Sequence, residues 1–67
     1  MRYKFSKDEL STLETLNLNF DPAGDLSDDN ETLLLEIVED AATLAGYDTV
    51  AGEKFTDILD TMAKQSW

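Results

Sequence analysis

Leucines at positions 10, 13 and 16 recur every three residues, directly after the string "FSKDEL". That interval returns apolar side chains to one side of an α-helix. Ser6 and Glu9 have the S-x-x-E spacing of a capping box, in which each side chain satisfies a free backbone N–H at the helix start. Phe5 and Leu10 occupy the positions of a hydrophobic staple around it. The pattern predicts a first helix over 7–16. A second apolar stripe, Leu34, Ile37, Val38, Ala41 and Ala45, predicts a helix from Ser27 or Asp28 to Ala45, with Gly46 as its C-terminal cap. A third helix is expected over 50–65, capped by Asp48 or Thr49. Ala51, Phe55, Ile58, Leu59 and Met62 would share one of its faces, and Glu53, Asp57, Asp60 and Lys64 the other.

Between these segments, "NLNFDPAGDL" (17–26) holds the single proline and reads as a loop, with Leu18 and Phe20 folding back onto the core. The opening "MRYKF" alternates apolar and basic residues, as an extended lead-in or a short edge strand would. Phe5, Phe20 and Phe55 are expected in the core, while Tyr3 and Tyr47 can each bury a ring and leave the hydroxyl wet. Three amphipathic helices with one buried face each define an all-α fold. The expectation is a single acidic helical domain over 1–67, a small three-helix bundle with a short extended N-terminal segment.

Size narrows what such a bundle can do. A chain of 67 residues hides roughly 60% of the surface it exposes when unfolded, which supports a thin core and little enclosed space. There is no cysteine and no histidine, so thiolate chemistry, the usual base near neutral pH and the commonest transition-metal ligand are missing. Ser6 and Ser27 have better explanations as caps than as nucleophiles, and Gly24, Gly46 and Gly52 are too scattered to cradle a phosphate. Neither an enzyme nor a cofactor is expected. No stretch approaches 18 apolar residues, and the N-terminus lacks a long apolar signal region, so a soluble cytoplasmic protein is expected.

The strings "YKFSKDE", "LNFD", "DLSDD", "VED", "GYD" and "ILD", in that order, resemble a group of short acidic proteins of Gram-positive bacteria. Members of that group continue after the glycine–aromatic–aspartate with another acidic loop, where this chain has "TVAGEKF". The group has no established activity, so the resemblance carries over no site residues. It implies an intracellular bacterial or phage origin.

Charge changes the picture most. Fifteen acids against five bases give a net charge of −10, which repels nucleic acid and anionic membranes and attracts basic proteins and cations. The acids are also unevenly placed. From Asp8 to Glu53 there are 13 acids and no lysine or arginine over 46 residues. Within the second helix Asp29, Glu36 and Asp40 fall opposite the apolar stripe, with Asp28 and Glu39 alongside. Those five residues are the candidate contact for a basic protein surface. The most specific form of that expectation is a nucleic-acid mimic that inhibits a defence enzyme.

Two other readings compete. In "DLSDDNETLLLE", Asp25, Ser27, Asp29 and Glu36 stand at positions one, three, five and twelve of a calcium loop. Against that, Asn30 replaces the turn glycine, Leu33 stands where a polar residue often holds a water, and Pro22 and Gly24 precede Asp25 where a helix should enter. A helix N-terminus is the favoured reading of the stretch. Trp67, finally, would pack over the end of the bundle or serve as an exposed anchor. An assembly protein that self-associates through Trp67 and Tyr3 is the third possibility.

Overall fold

The computed structural model describes residues 1–65 and contains three α-helices: α1 (Lys7–Glu14), α2 (Asp28–Ala45) and α3 (Val50–Gln65). They make the expected small three-helix bundle. α3 is the shared element, packing extensively on α2 and more sparingly on α1.

The capping box at the start of α1 forms as the spacing predicts. Ser6 Oγ accepts from the Glu9 N–H at 3.1 Å, and Glu9 Oε1 accepts from the Ser6 N–H at 2.9 Å. The helix nevertheless ends two residues before Leu16. The N–H groups of Thr15 and Leu16 bond three residues back, to the carbonyls of Thr12 and Leu13, and Asn17 then turns left-handed with φ 53°. Asparagine is one of the few residues that takes this conformation with little strain. Leu16 still packs against the core, from a tightened turn instead of a helix.

α2 begins and ends where the sequence predicts. Ser27 Oγ accepts from the Asn30 N–H at 3.2 Å, and the Gly46 N–H closes the last turn on the Ala42 carbonyl at 3.0 Å. Thr49 starts α3, its hydroxyl oxygen accepting from the Gly52 N–H at 2.9 Å. The same hydroxyl lies 2.9 and 2.7 Å from the carbonyl oxygens of Ala45 and Gly46, so one side chain stitches the end of α2 to the start of α3.

At this corner the expected face of α3 is displaced by one residue. Ala51 is exposed and Gly52 is buried. The Gly52 backbone lies so close to the Gly46 carbonyl that no β-carbon would fit, and the residue without one takes the position. Further along, Phe55, Ile58, Leu59 and Met62 face inward as expected.

Leu13, Leu34, Val38 and Ile58 form the fully buried centre, joined by Tyr3, Leu26 and Met62. Phe5, Phe20 and Phe55 are half-buried against it. On α2 the buried line is Leu34, Val38 and Ala42, with Ile37, Ala41 and Ala45 at its margins. Tyr47 departs from expectation. Its ring stands in solvent, with its hydroxyl 3.2 Å from the Thr43 Oγ1.

Residues 1–5 precede α1 without regular secondary structure, and no strand occurs among the described residues. Their backbone is held at both ends. Met1 and Leu26 exchange hydrogen bonds of 2.8 Å (Leu26 N–H to the Met1 carbonyl) and 2.5 Å (Met1 nitrogen to the Leu26 carbonyl). At the other end the Gln65 side chain acts as a surrogate strand: its Oε1 accepts from the Lys4 N–H at 2.7 Å, and its Nε2 donates to the Lys4 carbonyl at 2.8 Å. Between the two ties Tyr3 is 6% exposed and directed into the core. Its ring is therefore not available as a self-association surface. Trp67, the other half of that expectation, lies outside the described residues.

Candidate functional site

The acidic face is built by α2, whose register is fixed by the burial of Leu34, Val38 and Ala42. Successive residues turn by about 100° around a helix. Asp29, Glu36 and Asp40 consequently fall within about 20° of the direction opposite that buried line. Asp28 and Glu39 flank them on one side. All five are exposed.

Glu31, the sixth acid of the 28–40 stretch, behaves differently. It is half-buried, accepts a long hydrogen bond of 3.4 Å from the Tyr3 hydroxyl, and lies 3.9 Å from the Met1 ammonium. Burial, the nearby Glu31 charge and this hydrogen bond together push the Tyr3 hydroxyl above its ordinary pKa. Counting acids along the sequence does not separate Glu31 from its neighbours. Its position 200° from Asp29, on the side of Val38, is the signal that could have done so.

Among the described residues no ion pair within 4 Å neutralises the other five. Among the described residues, ion pairs within 4 Å are confined to Met1, whose ammonium reaches Asp25 at 3.2 Å and Glu31 at 3.9 Å. Arg2, Lys4, Lys7, Lys54 and Lys64 are all exposed. The last turn of α2 carries no base to complement the helix dipole.

The four candidate cation ligands are not brought together. Ser27 Oγ is committed to its cap and Asp25 Oδ1 to the Met1 ammonium. The backbone is helical from Asp28 onward, so seven residues separate Asp29 from Glu36 by a rise of about 10 Å. Oxygen ligands of calcium lie 2.3–2.6 Å from the ion. Among the described residues, no group of three or more acidic side chains is gathered around a common point.

A cleft of about 680 Å³, open to solvent, separates α1 from α3. Glu9 is its most engaged carboxylate. Burial raises its pKa, but hydrogen bonds from the Ser6 backbone, the Thr61 hydroxyl and the Ser6 side chain outweigh that and lower it overall. Thr61 Oγ1 donates to Glu9 Oε2 at 2.6 Å, so the capping box of α1 also fastens α1 to α3. Glu9 is thus an ionised acceptor whose two oxygens are both occupied.

No helix among the described residues is long and apolar enough to cross a membrane. Compared with protein-family models, curated proteins and solved structures, the chain matches none.

Proposed function

We propose that this chain is a cytoplasmic acidic interaction protein that docks the outer face of α2 on a basic protein surface. The observation that carries the reading is the set of five exposed carboxylates, Asp28, Asp29, Glu36, Glu39 and Asp40, in a span without lysine or arginine and without internal counterions. A run of acids on a helix is often only a solvated face, since high net charge keeps small proteins soluble. Solubility, however, does not require removing every base from 46 residues. Doing so forfeits the i,i+4 salt bridges that steady surface helices and adds self-repulsion to a domain of small stability. A cost inside the free protein with no internal return favours an external counterpart.

The most specific form of the reading is mimicry of nucleic acid. Residues 28–40 span about 18 Å of helix axis at 1.5 Å per residue, so the four intervals between the five exposed charges average about 4.5 Å, the widest being about 10 Å from Asp29 to Glu36. Phosphates along one strand of duplex DNA are spaced at about 3.4 Å. A groove that binds a phosphate backbone would meet a comparable charge density on α2, and the chain would block a DNA- or RNA-binding protein, such as a defence enzyme.

Affinity capture from nuclease-treated bacterial lysate, loaded at about 50 mM salt and stepped to about 200 mM, tests this directly. The expected outcome is retention of a nucleic-acid-binding protein at low salt, its release at high salt, and its displacement by added duplex. The Glu36→Lys/Asp40→Lys variant should fail to retain it. Equal retention by that variant would remove the α2 face from the interaction.

A further inference from the structure

Exposed leucines interrupt the acidic face of α2. Leu33 is 42% and Leu44 is 89% exposed. They lie about 40° and 60° from the direction opposite the core, beside the line of Asp29, Glu36 and Asp40. Past the end of the helix the apolar surface continues through Tyr47 and Val50, 59% and 73% exposed. Single apolar side chains on a surface need no explanation. Here the three most exposed large apolar residues described in the chain fall within residues 44–50, wrapped around one tight turn. Apart from the contact of the Tyr47 hydroxyl with Thr43 Oγ1, nothing local demands them. Lysine or glutamate would suit the helix at position 44 as well as leucine does, and valine is a poor choice for an exposed helix start.

We infer that the α2–α3 corner, centred on Leu44, Tyr47 and Val50, is a docking surface for a cationic amphipathic helix of the partner, an inference resting on the acidic docking proposed above. Charge selects the occupant. Asp40 and Asp48 flank the apolar residues in the chain and both are exposed. An uncharged apolar segment would desolvate them without compensation. A second copy of this chain, docked corner to corner across a two-fold contact, would set Asp40 and Asp48 against the same carboxylates. A helix with an apolar stripe and lysines or arginines beside it covers Leu44, Tyr47 and Val50 and gives the carboxylates counterions in the same step. The apolar anchors supply an attraction that salt does not screen, which a pure phosphate mimic lacks.

Three synthetic peptides of about 18 residues, long enough for five helical turns, test the inference. One segregates leucines and lysines to opposite helix faces, one scrambles the same composition, and one replaces the lysines by glutamates. Calorimetric titrations would use the wild type, Leu44→Ser/Val50→Ser and Glu36→Lys/Asp40→Lys at about 50 and 200 mM salt. The segregated peptide should bind roughly tenfold tighter than the scrambled one, and Leu44→Ser/Val50→Ser should abolish that advantage without moving the melting temperature. Glu36→Lys/Asp40→Lys should weaken both cationic peptides, and the glutamate peptide should not bind. Equal binding of the two cationic peptides, or an unchanged advantage in Leu44→Ser/Val50→Ser, overturns the apolar anchor and leaves acidic docking standing. Failure of both cationic peptides also overturns it. Indifference of their binding to Glu36→Lys/Asp40→Lys counts instead against the acidic face itself. Tight binding of the glutamate peptide, or self-association that disappears in Leu44→Ser/Val50→Ser on sedimentation, would give the surface to another occupant.

Discussion

Gly52 presses its α-carbon against the carbonyl of Gly46 so closely that a β-carbon on Gly52 would stand 1.8 Å from the oxygen. In an exposed helix, replacing glycine by alanine gains up to about 1 kcal/mol from helix propensity. At position 52 the sign reverses, because α2 and α3 must separate to admit a methyl group. Gly52→Ala should lose about 1–3 kcal/mol net, the usual cost of overpacking. Gly24→Ala, whose nearest obstacle is the Asp21 carbonyl at 3.3 Å, should be much milder. Urea unfolding of the two variants beside the wild type checks this. A Gly52→Ala protein as stable as the wild type would mean that the two backbones are not in contact.

The bond between Glu9 and Thr61 predicts a pH dependence. The Glu9 pKa lies below its ordinary 4.5 in the folded chain, so its contribution is present above that value and is lost as pH falls through the folded-state pKa. Glu9→Gln keeps one acceptor oxygen for the Ser6 N–H and loses the charged acceptor of the Thr61 hydroxyl, so it should cost about 1 kcal/mol at neutral pH. Below the ordinary glutamate range the two proteins should converge. A stability gap that stayed constant from neutral to acid pH would contradict the ionised, doubly bonded Glu9.

Tyr3 gives the opposite sign at the other end of the scale. Its pKa is raised above 10.0, by burial first and then by the Glu31 charge and hydrogen bond. The stabilisation it contributes is complete below that value and is lost as pH rises through the folded-state pKa. Absorbance titration should find one phenol ionising late, together with loss of structure. In Tyr3→Phe that step should vanish, at a cost under about 1.5 kcal/mol at neutral pH because only one long hydrogen bond is removed. Tyr3→Ala should cost far more, about 3–5 kcal/mol, since it empties a site in the core. A late titration that persisted in Tyr3→Phe would have to be assigned elsewhere.

If the carboxylates of α2 burden the free protein, relieving them should stabilise it. Asp40→Lys places a lysine four residues after Glu36, the favourable order on a helix, and should add about 0.3–0.5 kcal/mol beyond the reduced repulsion. Calorimetry at low salt should record a rise of a few degrees in Tm, shrinking as salt increases. The same substitution is expected to weaken partner binding, so stability and binding move in opposite directions. A lower Tm at low salt would show that Asp40 supports the fold in some other way.

What the chain discloses of its fold rests on features that act locally. Ser6, Glu9, Ser27, Gly46 and Thr49 mark helix ends through hydrogen bonds spanning three or four residues, and their spacing is visible in the sequence. Two departures arise where nearby backbone geometry overrides the periodicity. Ala51 resembles a core residue by periodicity, but the Gly46 carbonyl admits only Gly52 at the contact. Leu16 fits the leucine repeat, yet Asn17 ends the helix before it. For the acidic face, position along the helix was legible and occupancy was not. Glu31 is drawn inward by Tyr3 and Met1, which lie 28 and about 30 residues away along the chain. The exposure of Leu44 and Val50 was equally hidden, because an apolar letter gives no sign of whether the fold reserves a place for it.

The ties between Lys4 and Gln65 join positions 61 residues apart. During synthesis the opening segment must therefore wait for nearly all of α3 before it gains these two bonds, while α2 can cap itself at Ser27 and Gly46 as soon as it emerges. Closure of so long a loop is a late event in folding and adds to contact order. A nascent chain halted before residue 65 would leave the Lys4 backbone untied and Tyr3 less firmly held, with its side of the core the last to be shielded from chaperones and proteases.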